Sequence, residues 1–434
     1  MDNWIGKLWR SPEVREKLTF TVFILLIYRI GAHITAPGID VNILQQQTGQ
    51  LGNTLFGVYD MFTGGGLSRA TIFALGIMPY ISASIMFQLL AAVFPTVEKL
   101  QKEGDEGRKK LTQWTRYTTV ALSAIQAYGY AMFLQSIPGA IRNPGFGFVF
   151  TTVTALTVGA IFVMWLGEQI TERGVGNGMS LLIFFSIIEG FPRELVSTWE
   201  LYRLDQISTL ALVALVVGVT AAVVAMTMAA RKIPVQIPRK VVGRGRIQEG
   251  QKSFVPLRVN SAGVMPIIFA QSFIIVPGTL AAFSSIPWLQ GLADIFQPNN
   301  WVYYLTYAVL ILFFTYFYTA IIFNPVDLAE NLKKQGAFVP GVKPGARTAE
   351  YIDRILTRIT LPGSIYLAIV ALLPFWIFDI FGITTFIFGG TSLLIVVGVG
   401  LDTVQQLQQM LMVRHYDGFM KKGRVKMRGR QRYM

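Results

Sequence analysis

Ten apolar runs, each long enough to cross a bilayer, constrain this chain more than any other feature. A helix needs about 20 apolar residues to traverse roughly 30 Å of hydrocarbon. The runs lie near 19–36, 70–95, 115–137, 147–170, 178–197, 206–230, 260–285, 302–324, 359–381 and 384–411. The stretch from Gln206 to Ala230 carries no charge, whereas Glu189, Arg193 and Glu194 interrupt 178–197. Only 14% of the 434 residues are charged and 53% are apolar, against about 25% charged in a typical soluble domain. The expected fold class is an all-α membrane protein with ten transmembrane helices.

The net charge of +14 would suggest nucleic acid in a soluble protein. Here its placement sets orientation, because cytoplasmic loops collect Lys and Arg. With the amino terminus inside, the cytoplasmic pieces are 1–18, 96–114, 171–177, 231–258, 325–358 and 412–434, and they hold 32 of the 38 Lys and Arg residues. Arg116 lies at a cytoplasmic edge and Arg29 inside a span, which leaves Arg69, Arg142, Arg193 and Arg203 for the opposite side. Both termini are therefore expected in the cytoplasm. The amino-terminal segment carries Glu13 and Glu16, and no small-residue cleavage site follows its apolar run, so the first span should be retained. The basic tail 412–434 could attract anionic lipid headgroups.

Two cytoplasmic loops, 231–258 and 325–358, exceed what tight packing needs. The first alternates apolar and basic residues (Lys232-Ile233-Pro234-Val235-Gln236) and contains Gly243, Gly245 and Gly250, which reads as a ribbon or hairpin. The second opens with a charged helical stretch and breaks at Pro340-Gly341 and Pro344-Gly345. They are either solvated loops that only obey the orientation rule or a basic docking platform for an acidic partner.

Two short repeats point to a centre. Gly76-Ile77-Met78-Pro79 in the second run recurs as Gly263-Val264-Met265-Pro266 in the seventh. Gly178-Met179-Ser180-Leu181-Leu182-Ile183 in the fifth recurs as Gly390-Thr391-Ser392-Leu393-Leu394-Ile395 in the tenth. An offset of five spans is odd, so the copies face opposite ways, as in inverted repeats whose functional site lies near the midplane. The repeats divide the chain into halves, 19–197 and 206–411. They nominate Ile81, Ile268, Ile183 and Ile395, with Ile77 and Met179 one helical turn away. None of these side chains can hold an ion or move a proton. As a ring they would form an apolar constriction that resists ions by dewetting; singly, each could be ordinary packing.

Residues 54–69, between the first two runs, are too short to span and too apolar for a solvated loop. Leu55, Phe56, Val58, Tyr59, Met61 and Phe62 precede a flexible Gly64-Gly65-Gly66. The segment is either an interfacial helix or a mobile stopper folded back into a funnel, and the sequence favours neither.

Chemical motifs are sparse. Neither G-x-x-x-x-G-K-[ST] nor H-E-x-x-H occurs, there is no cysteine, and His33 and His415 are the only imidazoles. No cofactor, metal or enzymatic activity is expected. Arg29, Asp379 and Asp402 are the intramembrane charges that could matter. Asp379 and Asp402 fall near span ends, and Arg29 reads best as having a structural partner in the bundle.

Longer runs carry a family resemblance that covers almost the whole chain. They are Tyr28-Arg29-Ile30-Gly31 with Ala36-Pro37-Gly38-Ile39-Asp40, Ile72–Ile81, Gly167–Gly174 with Gly176-Asn177-Gly178, and Asn331–Gly336 with Phe338-Val339-Pro340-Gly341. In this order they resemble the SecY family of protein-conducting channels. The resemblance implies a clamshell of two inverted, pseudo-symmetric halves. It implies a pore ring at Ile77, Ile81, Met179, Ile183, Ile268 and Ile395, and a short plug helix within 54–69 formed by Leu55, Phe56, Val58, Tyr59, Met61, Phe62, Gly64 and Gly65. A lateral gate would open between spans two and three on one side and seven and eight on the other, with Ser82, Gln126 and Asn260 on the seam.

It further implies energy-supplying and structural partners: the SecA motor ATPase, the ribosome, the small SecE and SecG membrane subunits, and signal peptides and nascent polypeptides as clients. The docking loops would present Arg239, Lys240, Arg244, Arg246, Lys333, Lys334, Lys343 and Arg347. Lys343 replaces a usual family arginine and lacks its bidentate fork; Ile237-Pro238 and Gly245 also depart from the family pattern. The implied location is the cell inner membrane. A secondary transporter for a small solute is the alternative, disfavoured by an aliphatic centre without midplane carboxylates. An intramembrane enzyme is more distant, since no nucleophile–base pair stands out.

Overall fold

The computed structural model describes residues 11–48, 54–202, 206–236, 240–242, 246–248, 252–283, 291, 295–297, 300–381 and 390–422. Each apolar run falls on one helix. The first half contributes α1 (Pro12–Gly31), α2 (Val41–Thr48), α3 (Leu55–Phe62), α4 (Met78–Val93), α5 (Pro95–Lys102), α6 (Asp105–Ser136), α7 (Phe146–Arg173) and α8 (Gly178–Tyr202). The second contributes α9 (Gln206–Met228), α10 (Met265–Phe283), α11 (Trp301–Ile322), α12 (Pro325–Lys334), α13 (Ala346–Phe381) and α14 (Gly390–Lys422). Among the described residues, three stretches taken singly are long and apolar enough to span: Phe146–Arg173, Trp301–Lys334 and Ala346–Leu373. The pair α4 and α5, bent by 110°, makes a fourth. Shorter apolar stretches lie in α8 (Gly178–Pro192), α9 (Val216–Met228) and α10 (Met265–Thr279).

The repeat seen in the sequence has a structural counterpart. Both α4 and α10 begin at the methionine of the Gly-x-Met-Pro motif. Each preceding glycine has positive φ, +53° at Gly76 and +63° at Gly263, a region an L side chain rarely adopts. Proline in the first turn costs no hydrogen bond, because that N–H is unpaired anyway. Ile81 and Ile268 thus occupy the same fourth position of their helices, while α8 starts at Gly178 and α14 is described from Gly390, matching Ile183 to Ile395.

The halves meet on two fronts. On one, α10 packs against α3, α4 and α6; on the other, α14 packs against α8 and α1. One apolar cluster runs through both halves and contains five of the six nominated waist residues, with Met179 packed against it.

The long loops join into one platform. Strands β1 (Ala230–Gln236) and β4 (Lys252–Arg258) pair antiparallel from Ala230↔Arg258 to Gln236↔Lys252, and β2 (Lys240–Val242) pairs with β3 (Arg246–Gln248) between them. Gln236 exchanges backbone hydrogen bonds of 2.9 Å with Phe338 in the second loop. Ile233, Val235 and Leu257 of the ribbon share a separate apolar core with Leu332, Val339, Ile352 and Leu356. The alternation along β1 puts Ile233 and Val235 inward, as the two-residue period of a strand requires.

Candidate functional site

A cavity of about 300 Å³ opens between the halves. Its wall is polar, with Gln88, Thr112, Arg116, Glu168, Glu172 and Asn177, and its floor includes Ile81, Met179, Ile183 and Ile268. Ile77 and Ile395 do not line it, but are 4% and 0% exposed within the same cluster. Five of the six side chains are buried, and none offers water a partner. Polar and aliphatic side chains thus line one cavity where the two halves meet.

Met179 owes its place to two glycines. A Cβ at Gly178 would collide with the Gly167 carbonyl oxygen, and one at Gly167 would collide with the Met179 sulfur. The close approach of α7 and α8 at these positions therefore sets the thioether at the waist. Arg116 Nε and Nη2 donate to the two Glu168 oxygens at 2.9 and 2.8 Å, tying α6 to α7 at the funnel wall. This bidentate pair went unnoticed in the sequence; opposite charges at the inner ends of adjacent spans were its available signal.

Residues 54–69 fold into the bundle rather than onto its surface. Leu55, Phe56, Tyr59 and Phe62 of α3 are buried. The Thr54 hydroxyl caps the helix by accepting from the Phe56 N–H at 3.3 Å, the usual remedy for an unpaired first-turn donor. Leu55 lies against Gly278 of α10, with Cδ1 2.6 Å from where a Cβ would stand, and Phe56 packs on Phe133 of α6 with centroids 5.6 Å apart. The Tyr59 hydroxyl donates to the Leu75 carbonyl at 3.1 Å and lies 3.4 Å from Gln126 Oε1. Val58 and Met61 are half-buried against the main core.

Beyond the helix, a Cβ at Gly64 would lie 3.4 Å from Ser186 Cα and Glu189 Oε2 of α8, and one at Gly65 would lie 3.0 Å from the Arg69 guanidinium. The Ser186 hydroxyl is bonded to that of Tyr28 at 2.8 Å, and Glu189 pairs with Arg29. Arg29 thus has its partner in the bundle. The Asp60 carboxylate accepts the Ser68 N–H at 2.8 Å, while burial pushes its pKa above the ordinary carboxylate range.

The seam between α10 and the α4–α6 pair is closed. Gln126 on α6 is buried beside the α3 helix. Ser82 bonds back to the Met78 carbonyl at 3.0 Å, and Asn260 donates Nδ2 to the Gly263 carbonyl at 3.0 Å, so neither reaches across. Among the described residues, a buried polar contact that does cross is Ser272 Oγ to Met78 Sδ at 3.5 Å. The adjacent polar pair Gln271-Ser272 inside an otherwise apolar run was the signal for it. Behind the seam, Phe269 meets Phe314 and Tyr318 edge-on at 5.9 and 5.6 Å, which holds α10 to α11.

On the platform, Lys333, Lys334, Lys343 and Arg347 are exposed. Lys334 and Arg347 have exposed pairs at 3.8 and 3.2 Å with Glu330 and Glu350, which contribute little. Lys240 and Arg246 lie in the β2–β3 pair with side chains outside the description, and Arg239 and Arg244 lie outside the described residues altogether.

A cavity lined by polar and aliphatic side chains where the two halves meet, a short buried helix packed beside it and a close α4–α10 contact are the features of a membrane channel. Comparison with known proteins identifies the kind. The SecY family model matches residues 71–404. The protein translocase subunit SecY of Aquifex aeolicus is 42% identical over 97% of this chain and the whole of that protein. That of Escherichia coli K12 is 45% identical over 96% of each. Among solved structures, a protein-conducting channel superposes with a TM-score of 0.67 at 17% identity, covering 98% of this chain and 100% of that one. Sec61 in the canine ribosome–channel complex gives 0.64 at 17%, with the same coverage; at such identities these two speak for the fold alone. The chain belongs to the SecY family of protein translocase subunits.

Proposed function

We propose that this chain is the central pore-forming subunit of a protein translocase, conducting unfolded secretory polypeptides across the cell inner membrane and releasing transmembrane segments sideways into lipid. The observation that carries the reading is the aliphatic floor of Ile81, Met179, Ile183 and Ile268 beneath a polar funnel, at the meeting of two inverted halves. Isoleucine and methionine adapt in shape and form no strong bond with a passing residue, methionine through its flexible thioether. Helix α3, between α8 and α10, acts as the plug on the far side of the waist. A sufficiently apolar segment leaves through the α4–α10 seam, because each CH₂ moved into lipid gains about 0.8 kcal/mol.

Energy comes from partners. The platform of β1, β4, α12 and the 336–345 turn presents exposed bases suited to an acidic surface or to RNA phosphate, and we assign it to the SecA motor and the ribosome. SecE and SecG are the expected small membrane subunits. Both termini lie in the cytoplasm, supported by the 32 of 38 Lys and Arg residues on that side.

The chain has no cysteine, which allows a clean test. An Ile81→Cys or Ile268→Cys variant in a reconstituted complex is presented with a stalled precursor carrying one cysteine. A disulfide that requires the motor and ATP is expected. No disulfide, with precursor and partners active on another translocase, would remove the reading in favour of a solute carrier.

A further inference from the structure

A second cavity, of about 370 Å³, adjoins the funnel and shares Asn177, Ser180, Met265 and Tyr318 with it. Its chemistry differs from that of the waist. Asp402 Oδ2 lies 3.5 Å from where a Cβ of Gly263 would stand, and Asn260 donates Nδ2 to the carbonyl of the same Gly263 at 3.0 Å. Acid and amide therefore flank one residue at the start of α10. The bond to Gly263 uses the Asn260 donor and leaves its buried Oδ1 without a hydrogen-bond partner; the buried Ser180 Oγ has none either. The two residues are 7% and 4% exposed. A buried acceptor left unpaired costs about 1–3 kcal/mol, so this niche is complementary to a donor.

The donor's class follows from the set. Lys ammonium and Arg guanidinium groups donate only, and carry the charge that a carboxylate favours. A hard divalent ion would want about six or more oxygens and usually several carboxylates; among the described residues no group of three metal-ligating His, Cys, Asp or Glu exists. Arg258 lines the same cavity and acts on Asp402 through space, but makes no ion pair with it within 4.0 Å among the described residues, so a client base could still make the direct contact.

We propose that Asp402, Asn260 and Ser180 form a receiving niche for a basic side chain of the client polypeptide, holding its Lys- or Arg-bearing flank on the cytoplasmic side while its apolar segment faces the seam. The proposal rests on the conducting role argued above. Gln406 follows Asp402 by one helical turn and also lines the cavity. A Gln406→Cys variant is offered stalled precursors with one cysteine and, two residues away, either Lys or Gln. Disulfide yields are normalised to those of the Ile81→Cys variant, which cancels the effect of the neighbouring charge on thiol reactivity.

The Lys precursor should cross-link about tenfold more than the Gln precursor, the size expected of one charge-assisted hydrogen bond. The preference should vanish on adding Asp402→Asn and survive Asp402→Glu, which separates loss of charge from loss of fold. An equal yield for the two precursors, or a preference indifferent to Asp402→Asn, overturns the niche while leaving conduction intact. Absence of cross-links at both positions overturns conduction, and the niche with it.

Discussion

The Tyr59 side chain joins the proposed plug to the proposed gate. Its hydroxyl donates to the Leu75 carbonyl just before α4 and lies beside Gln126 on α6. Tyr59→Phe keeps the ring and its packing and removes only the oxygen. The net loss should be about 1 kcal/mol, which raises the unseated fraction of the plug about fivefold. The rate at which a cysteine introduced at Val58 is labelled from the far side measures this; an unchanged rate would mean the hydroxyl does not hold the plug. That Ile81, Met179, Ile183 and Ile268 would come together at one cavity was legible in the sequence, because two repeats set them in register. The roles of Gly167 and Gly178 were not, because a missing Cβ acquires meaning only when the backbone that passes it is known. Nor was the Ser186–Tyr28 bond, which joins residues 158 apart in sequence.

At the level of elements, α10 serves the plug on one side and the seam on the other. Gly278 is where it admits Leu55. Gly278→Val should force that leucine aside and lift α3 from its seat, since overpacking a filled site costs about 1–3 kcal/mol. Ion conductance of the resting channel in a planar bilayer should rise, whereas thermal unfolding should change little. Normal conductance would place the seal elsewhere.

The seat should also respond to pH through Asp60. Burial raises its pKa above the ordinary 3.8 when the plug is seated, so the seated form favours the protonated acid. That contribution is full below 3.8 and is lost as pH climbs through the raised value. Plug labelling should therefore increase with pH across this window, and Asp60→Asn should flatten the dependence; an equal slope in both proteins would assign the response to another group.

Apolar runs located the helices but not their ends. Helix α4 begins at Met78 rather than near 70, because Gly76 turns the chain. Helices α6 and α13 extend past their apolar runs to Asp105 and Ala346, since Lys, Arg and Glu sustain a helix in water as well as Leu does.

Across the whole molecule, the inverted halves were readable from two short repeats five apolar runs apart, because an odd offset sets the copies facing opposite ways. How the halves close on each other was not, because it depends on contacts between segments nearly 200 residues apart. Both long loops were visible as basic insertions, but their fusion through Gln236 and Phe338 follows from a shared core. That fusion makes the platform one body, continuous with α10 through β4 and with the lower part of α13.

If lateral release requires the seam to part, then fixing α10 to α4 should abolish it. Ser272 and Met78 face each other across the closed seam at 3.5 Å, and no native thiol competes. A Met78→Cys/Ser272→Cys variant joined by a cleavable bis-thiol reagent should fail to integrate a transmembrane segment and recover on cleavage, while either single variant treated alike should remain active. Integration by the bridged channel would show that apolar segments reach lipid by a route other than between α4 and α10.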